Sequence, residues 1–351
     1  MPDKRIIAVV TSKGTIELVE EDVPELRAGT CLIEVQNSLI SPGSELGSFR
    51  GLKAKKDNPD PEGKKQKFGY SNSGIVREVA EGAEEFKPGD RVACIGGGYA
   101  QHANWAVVPH NLCVALPDNV TFAQGAYAML SGTALHCVRR TEPEIGEYAA
   151  VVGLGLVGQL TAQILQLSGC YVIGWDMIPH RLEIARTWGI EGTLQIGDED
   201  ELAATSAFTC EMGLDAAIFA FGGDGQSAYK SIYKCMKLSP DTHRMGRLVI
   251  VGGARVTVGP AASNLDVRRA ARTGAGYHDE EWEVGTPYPS VFMHWTTRTN
   301  LELCMRLISE GKLNVDVLTT HIIPLEDVEA RIDAIIDDPD SILGVVFEMV
   351  H

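Results

Sequence analysis

The chain opens with short apolar runs cut by polar and turn-forming residues. Arg5 to Val10, Thr15 to Val19, Cys31 to Val35, Ile75 to Val79, Arg91 to Cys94 and Asn104 to Val108 are bounded by Gly, Pro, Asn or Asp, which predicts a β-rich unit. From about Phe122 the period lengthens. Helix-length patterns then alternate with apolar strands at Ala149 to Val152, Tyr171 to Trp175, Gly192 to Gln195, Ala216 to Phe219 and Leu248 to Val251, the βαβ signature of a parallel sheet. The tail offers a helix, Asn300 to Glu310, with Leu301, Cys304, Met305 and Ile308 on one face and Gly311 behind it. A strand, Val317 to Ile323, a helix, Leu325 to Ile336, and a last strand, Gly344 to Met349, follow. Both ends differ from the middle, so an α/β domain with a doubly wound parallel sheet is expected over 124–290. It would sit inside a β-rich domain made of 1–123 and 291–351.

The middle domain carries the sharpest motif. Tyr148 to Gly158 reads YAAVVGLGLVG, an apolar strand running into Gly153-x-Gly155-x-x-Gly158, with a helix expected from Gln159 to Ser168. The first glycine permits a tight turn, the second lets backbone approach a pyrophosphate, and the third lets the helix pack on the sheet. Leu156 and Val157 lie in the turn just before that helix, whose free N–H groups and dipole favour negative charge. Asp176 ends the next apolar run, eighteen residues beyond Gly158, where an acid accepts hydrogen bonds from the adenosine ribose. Met177 follows it directly. A 2′-phosphate there meets a like charge, so NAD(H) is expected over NADP(H); Arg181, able to turn toward a phosphate, keeps NADP(H) open.

Bulk properties narrow the partners. The 351 residues suit two domains, and a formal charge of −16 argues against nucleic acid or an anionic membrane. The first residues, MPDKRIIAVV, put charges before only five apolar residues, too few for a signal core, and no run approaches the ~20 of a spanning helix. A cytoplasmic protein acting on a small molecule is expected. The eight cysteines are scattered with no CxxC pair, as expected of reduced, mostly buried thiols.

Further motifs run through the chain: Phe86-Lys87-Pro88-Gly89-Asp90-Arg91-Val92, Tyr99-Ala100 leading to Val107-Val108-Pro109, Leu116-Pro117-Asp118, Ala134-Leu135-His136, and Gly311-Lys312-Leu313 leading to Thr320-His321. With the glycine turn they resemble the medium-chain dehydrogenase/reductase superfamily along essentially the whole length. The resemblance implies a GroES-like catalytic domain from both ends and a Rossmann domain between. It also implies hydride transfer in the cleft separating them, and a homodimer or higher homo-oligomer. By position, Thr133 is expected to pack the nicotinamide. Ala220-Phe221-Gly222 and Val251-Gly252-Gly253 are expected after the fourth and fifth sheet strands of the cofactor domain.

Zinc-dependent members of that superfamily ligate the metal with Cys, a His-Glu pair and a further Cys or Glu. Here the GHE signature reads Gly69-Tyr70-Ser71, the cysteine position falls on Ser41 or Pro42, and the remaining position falls on Met129. The structural zinc lobe is missing too, since Gly96-Gly97-Gly98-Tyr99 runs straight on. The expectation is a zinc-free branch and a protein with no zinc. The histidines, His102 among them, read as packed or exposed rather than paired.

Without a metal, an acid or base must manage the hydroxyl proton. Tyr70 is the first candidate, its alternative role being to fill the vacated metal pocket. Ser41 and Ser44 suit a relay and Glu45 a base, unless Ser44 and Glu45 simply cap a turn; His278 has the pKa range for acid/base work. Arg50, Lys53, Lys55, Lys56, Lys64, Lys65 and Lys67 form a basic loop, read either as solvated or as attracting an anionic substrate. The leading function is a zinc-independent NAD(H)-dependent oxidoreductase of a secondary alcohol or ketone, on a sugar- or cyclitol-like substrate. The alternatives are an enoyl or quinone reductase and a catalytically silent dinucleotide sensor.

Overall fold

The computed structural model describes residues 2–53, 65–259, 263–338 and 340–349. Two compact units emerge, one from Met1–Gly132 with Thr273–His351 and the other from Thr133–Arg272.

The first unit begins with eight strands: β1 (Lys4–Val10), β2 (Ile16–Asp22), β3 (Thr30–Ile40), β4 (Gln66–Lys67), β5 (Ser71–Val79), β6 (Arg91–Ile95), β7 (Trp105–Pro109) and β8 (Cys113–Ala115). β1 lies between β2 and β4 in a small antiparallel sheet. β3, β5, β6 and β8 run side by side in a larger one, with β7 also on β3. The apolar run alone predicts β3 only to Val35, yet the strand continues to Ile40. Its polar stretch Gln36-Asn37-Ser38 is carried by the chain's last strand, which pairs antiparallel with it (Val346 opposite Leu39). That extension delivers Ser38 and Ser41 to the site described below.

The second unit holds β9 (Tyr148–Val152), β10 (Tyr171–Asp176), β11 (Gly192–Gln195), β12 (Ala216–Phe219), β13 (Gly223–Asp224), β14 (Arg244–Val251), β15 (Ala254–Arg255) and β16 (Ser263–Ala270). Six of them form a parallel sheet in the order β11-β10-β9-β12-β14-β16. This is the doubly wound Rossmann order, with its switch point between β9 and β12, where a crevice opens at the carboxyl ends. The strands are apolar on both faces because helices cover both; Trp175 and Phe219 are among the largest fully buried side chains. β16 escapes the apolar pattern for a physical reason. It is an edge strand, SNLDVRRA, with Val267 left 36% exposed, so no continuous apolar run marks it.

The remaining strands, β17 (Thr319–Pro324) and β18 (Gly344–Glu348), return to the first unit. β18 joins β3 and carries β17 parallel to itself on the outside, completing a GroES-like unit. Helix Thr297–Ser309 starts at a capping box made by Thr296 and Thr299, three residues before the sequence pattern places it, since capping rather than the apolar stripe sets its start. Among the described residues no helix is long and apolar enough to cross a membrane.

The packing of the first βα turn is tight at one atom. A Cβ on Gly158 would overlap the Gly153 carbonyl oxygen, which is backbone and has no room to yield. Gly158→Ala is therefore expected to destabilise the second unit by about 1–3 kcal/mol, as overpacking does, measured by urea unfolding.

Candidate active site

In the second unit the motif residues gather at the carboxyl ends of β9, β10, β12 and β14. Gly153 has φ +90°, a conformation only glycine adopts without strain. A Cβ on Gly155 would meet nothing within 4 Å, so the turn leaves open space in front of helix Leu156–Leu167. No side chain caps that helix at its N-terminus, and its first N–H groups are left for an anion. Leu156 is buried and Val157 half-buried.

Asp176 is the hinge of this arrangement. Its side chain is nearly enclosed, with a relative exposure of 5%. Oδ2 accepts the Leu154 N–H at 2.6 Å, and Oδ1 accepts the Ile178 N–H at 2.9 Å. The carboxylate thus ties the glycine turn after β9 to the loop after β10. Each oxygen keeps a further lone pair for a hydroxyl. Arg181 places Nη1 3.6 Å from Oδ2, while Met177 projects outward at 70% exposure. Ala220 and Phe221 are half-buried and Gly222 exposed at the end of β12; after the buried Val251 of β14, Gly252 and Gly253 are exposed. Thr133 is half-buried within helix Ala128–Thr141.

In the first unit a second cluster forms around Tyr70. Gly69, with φ +105°, lies so close to the backbone of Gln101 and His102 that a side chain would overlap it. That approach seats Tyr70, whose carbonyl accepts the Gly96 N–H at 3.0 Å. Its phenol hydrogen-bonds with the side chains of Ser41 and Ser44. Burial above all, with the negative charge of Glu45, pushes its pKa well above the usual 10, and the serines offset this only in part. The phenol is therefore a firmly protonated donor at neutral pH. Ser41, Ser44 and Glu45 lie on or beside a π-helical turn, Pro42–Leu46, a rare form concentrated at functional sites. Glu45 Oε2 accepts the Ser41 N–H at 2.6 Å.

Sequence reading missed His102. It is fully buried, with Nε2 3.3 Å from Glu45 Oε1 and Nδ1 2.7 Å from Ser38 Oγ. The only available signal was its place beside the Tyr99-Ala100 motif. His278, in contrast, is exposed with φ +71°. Its N–H is held by Glu283 at 2.8 Å, and its ring lies 4.0 Å from that of Tyr277. Tyr277 stands next to Tyr70 electrostatically and accepts the Gly97 N–H at 3.0 Å.

Of the basic loop, Lys55, Lys56 and Lys64 lie outside the described residues, and nothing is described of the Arg50 and Lys53 side chains. Lys65 and Lys67 pair with Glu17 and Glu21, each at 2.7 Å.

The positions aligned with metal ligands are otherwise engaged. Ser71 donates to the Ala126 carbonyl at 2.6 Å and accepts the Met129 N–H at 3.2 Å, so its hydroxyl anchors the start of helix Ala128–Thr141. Tyr70 is held by two serines, and Met129 is a neutral thioether. This trio does not fit a zinc ion, and no step below is routed through one. Among the described residues no group of three or more His, Cys, Asp or Glu stands together as metal donors.

Ser71→Ala leaves a buried N–H and C=O without their partner. The expected loss is about 1–3 kcal/mol, read as a lower Tm.

No family model matches the chain. An uncharacterized zinc-type alcohol dehydrogenase-like protein of Escherichia coli is 24% identical over 371 residues, covering 97% of each chain. The sorbitol dehydrogenase of Mus musculus is 25% identical over 352 residues, covering 91% of this chain and 89% of its own. An Escherichia coli oxidoreductase/dehydrogenase of unknown specificity shares the fold, with a TM-score of 0.81 at 19% identity over 99% of this chain and 100% of that one.

These relatives correct one expectation. The chain is similar along nearly its whole length to a protein named as zinc-type, so the exclusion of zinc drawn from four altered positions is withdrawn. Metal donors converge in space from distant segments, and reading a few aligned positions does not survey them all. The order of the parallel sheet, the glycine turn and the full-length similarity agree: the chain has the fold of the medium-chain dehydrogenases and is similar along nearly its whole length to zinc-type alcohol and sorbitol dehydrogenases.

Proposed function

We propose that this chain is an NAD(H)-dependent oxidoreductase that interconverts a secondary alcohol and a ketone on a polyol- or cyclitol-like substrate. The observation that carries the reading is the Tyr70 phenol, kept protonated by burial and held by Ser41 and Ser44. The similarity to sorbitol dehydrogenase supports the polyol class.

In this reading Gly153, Gly155, Leu156, Val157 and Gly158 hold the pyrophosphate, and Asp176, Met177 and Arg181 hold the adenosine ribose. Thr133, Ala220, Phe221, Gly222, Val251, Gly252 and Gly253 hold the nicotinamide half. The open face of Gly155 and the two acceptors of Asp176 suit such a ligand. A 2′-phosphate beside that carboxylate meets a like charge, which favours NAD(H). The bound dinucleotide supplies or receives the hydride.

The chain's own contribution is the proton. Tyr70 donates its O–H to the substrate oxygen as negative charge grows there, the stabilisation an oxyanion donor provides. Ser41 and Ser44 orient that O–H, and Ser44, which is exposed, relays a proton from solvent back to the phenolate. Burial and the charge of Glu45 hold the phenol in its protonated form between turnovers, and the two serine hydroxyls offset part of the cost of its ionisation as the proton leaves. A homodimer or larger homo-oligomer belongs to this reading, supported by the edge position of β16.

Tyr70→Phe removes the hydroxyl and keeps the ring. In an assay of NADH consumption with fructose, xylulose and an inosose, kcat on the accepted ketone is expected to fall about 10²–10⁴-fold, the range for losing a general acid. NADH affinity is expected to stay within about twofold, since that site lies wholly in the second unit. Unchanged kcat would remove Tyr70 from the chemistry.

A further inference from the structure

We infer that His102 is a positioning residue that latches the turn carrying Ser41, Ser44 and Glu45, and so fixes the two hydroxyls that hold Tyr70. The inference rests on the function proposed above for its catalytic arm, and on geometry alone for its structural arm.

The post to which the latch is fixed is rigid. His102 is 0% exposed and wedged edge-on between two rings, Phe68 at 4.7 Å and Phe347 at 5.0 Å. Its carbonyl accepts the Ala8 N–H at 2.9 Å, and its own N–H donates to the Phe68 carbonyl at 3.3 Å. The preceding residue is held as firmly. Gln101 takes the Arg5 guanidinium on its side-chain oxygen at 3.0 Å and the Asn72 amide on its carbonyl at 3.2 Å.

Both ring nitrogens are used, and the partners define the tautomer. A carboxylate oxygen only accepts, so Nε2–H donates to Glu45 and Nδ1 accepts the Ser38 hydroxyl. Glu45 is then gripped from two sides, by His102 on Oε1 at 3.3 Å and by the Ser41 N–H on Oε2 at 2.6 Å. The second contact closes the π-helical turn onto its own carboxylate. Ser41 and Ser44 cannot shift without moving Glu45, and Glu45 is held by a histidine that has nowhere to go.

Ser38, His102 and Glu45 are the residue types of a nucleophilic triad, but Ser38 is also 0% exposed. No substrate reaches its hydroxyl. The set therefore acts by holding, as an orienting group does behind a reacting one.

The test uses the full-length protein with His102→Phe, which keeps the packing between the two rings and removes both hydrogen bonds, and His102→Gln, which restores a donor. Hydrogen exchange is followed by mass spectrometry on a peptide spanning Ser41 to Glu45. In His102→Phe that peptide is expected to exchange about tenfold faster, the effect of losing one charge-assisted hydrogen bond. Amides of the parallel sheet should be unchanged, and His102→Gln should return the rate most of the way. Should the phenylalanine variant not fold, Ser38→Ala replaces it, with a rise of about threefold expected from freeing Nδ1. Exchange unchanged in the turn, or raised equally in the sheet, overturns the latch. The catalytic arm measures kcat and KM for NADH-dependent reduction of the ketone accepted by the wild type. His102→Phe is expected to lower kcat about tenfold with KM nearly constant, and to add nothing in a Tyr70→Phe background, as for residues acting as one unit. Full additivity overturns the coupling to Tyr70. Absence of wild-type turnover on every ketone of that panel overturns the proposed function instead, and leaves the exchange result to judge the latch.

Discussion

The carboxylate of Asp176 is the interaction on which the second unit's site depends. Two loops at the ends of neighbouring strands must hold a fixed spacing if one ligand is to rest on both. Asp176 sets that spacing with one hydrogen bond into each, to Leu154 and to Ile178. Gly153 turns the chain, Gly155 leaves the space, and Gly158 brings the helix close enough for its N-terminus to face that space. Removing any one would leave the others pointing at an ill-defined position.

The first unit solves a parallel problem with different parts. A phenol is an effective donor only if its proton stays on and its oxygen is aimed; at neutral pH a phenol meets the first condition by itself, and burial of Tyr70 reinforces it. The second comes from a short turn whose own glutamate closes it and whose serines reach the phenol. Both depend on β3 running to Ile40, because that extension places Ser38 and Ser41 on either side of the buried His102–Glu45 pair. The strand that permits the extension is β18, at the far end of the chain.

What was legible in the sequence follows from how local each constraint is. The glycine turn was legible because its three glycines answer three backbone requirements within six residues. The alternating αβ pattern was legible because strands covered on both faces must be apolar throughout. The length of β3 was not, since its polar half is held by a partner some three hundred residues away. Edge strand β16 was hidden because one-sided pairing imposes no apolar run. His102 looked like an isolated histidine because Ser38 and Glu45 lie 64 and 57 residues from it. The exclusion of zinc failed for a related reason, since aligned wording samples a few positions while a metal site is defined by convergence in space.

The most direct measurement is a calorimetric titration of the unmodified protein with NADH and with NADPH at low salt, where a buried carboxylate near the ribose is least screened. The account expects NADH to bind at least about tenfold more tightly, the equivalent of about 1.4 kcal/mol of like-charge cost at Asp176. Equal affinity, or tighter binding of NADPH, would contradict the role given to that carboxylate and with it the assignment of the cofactor.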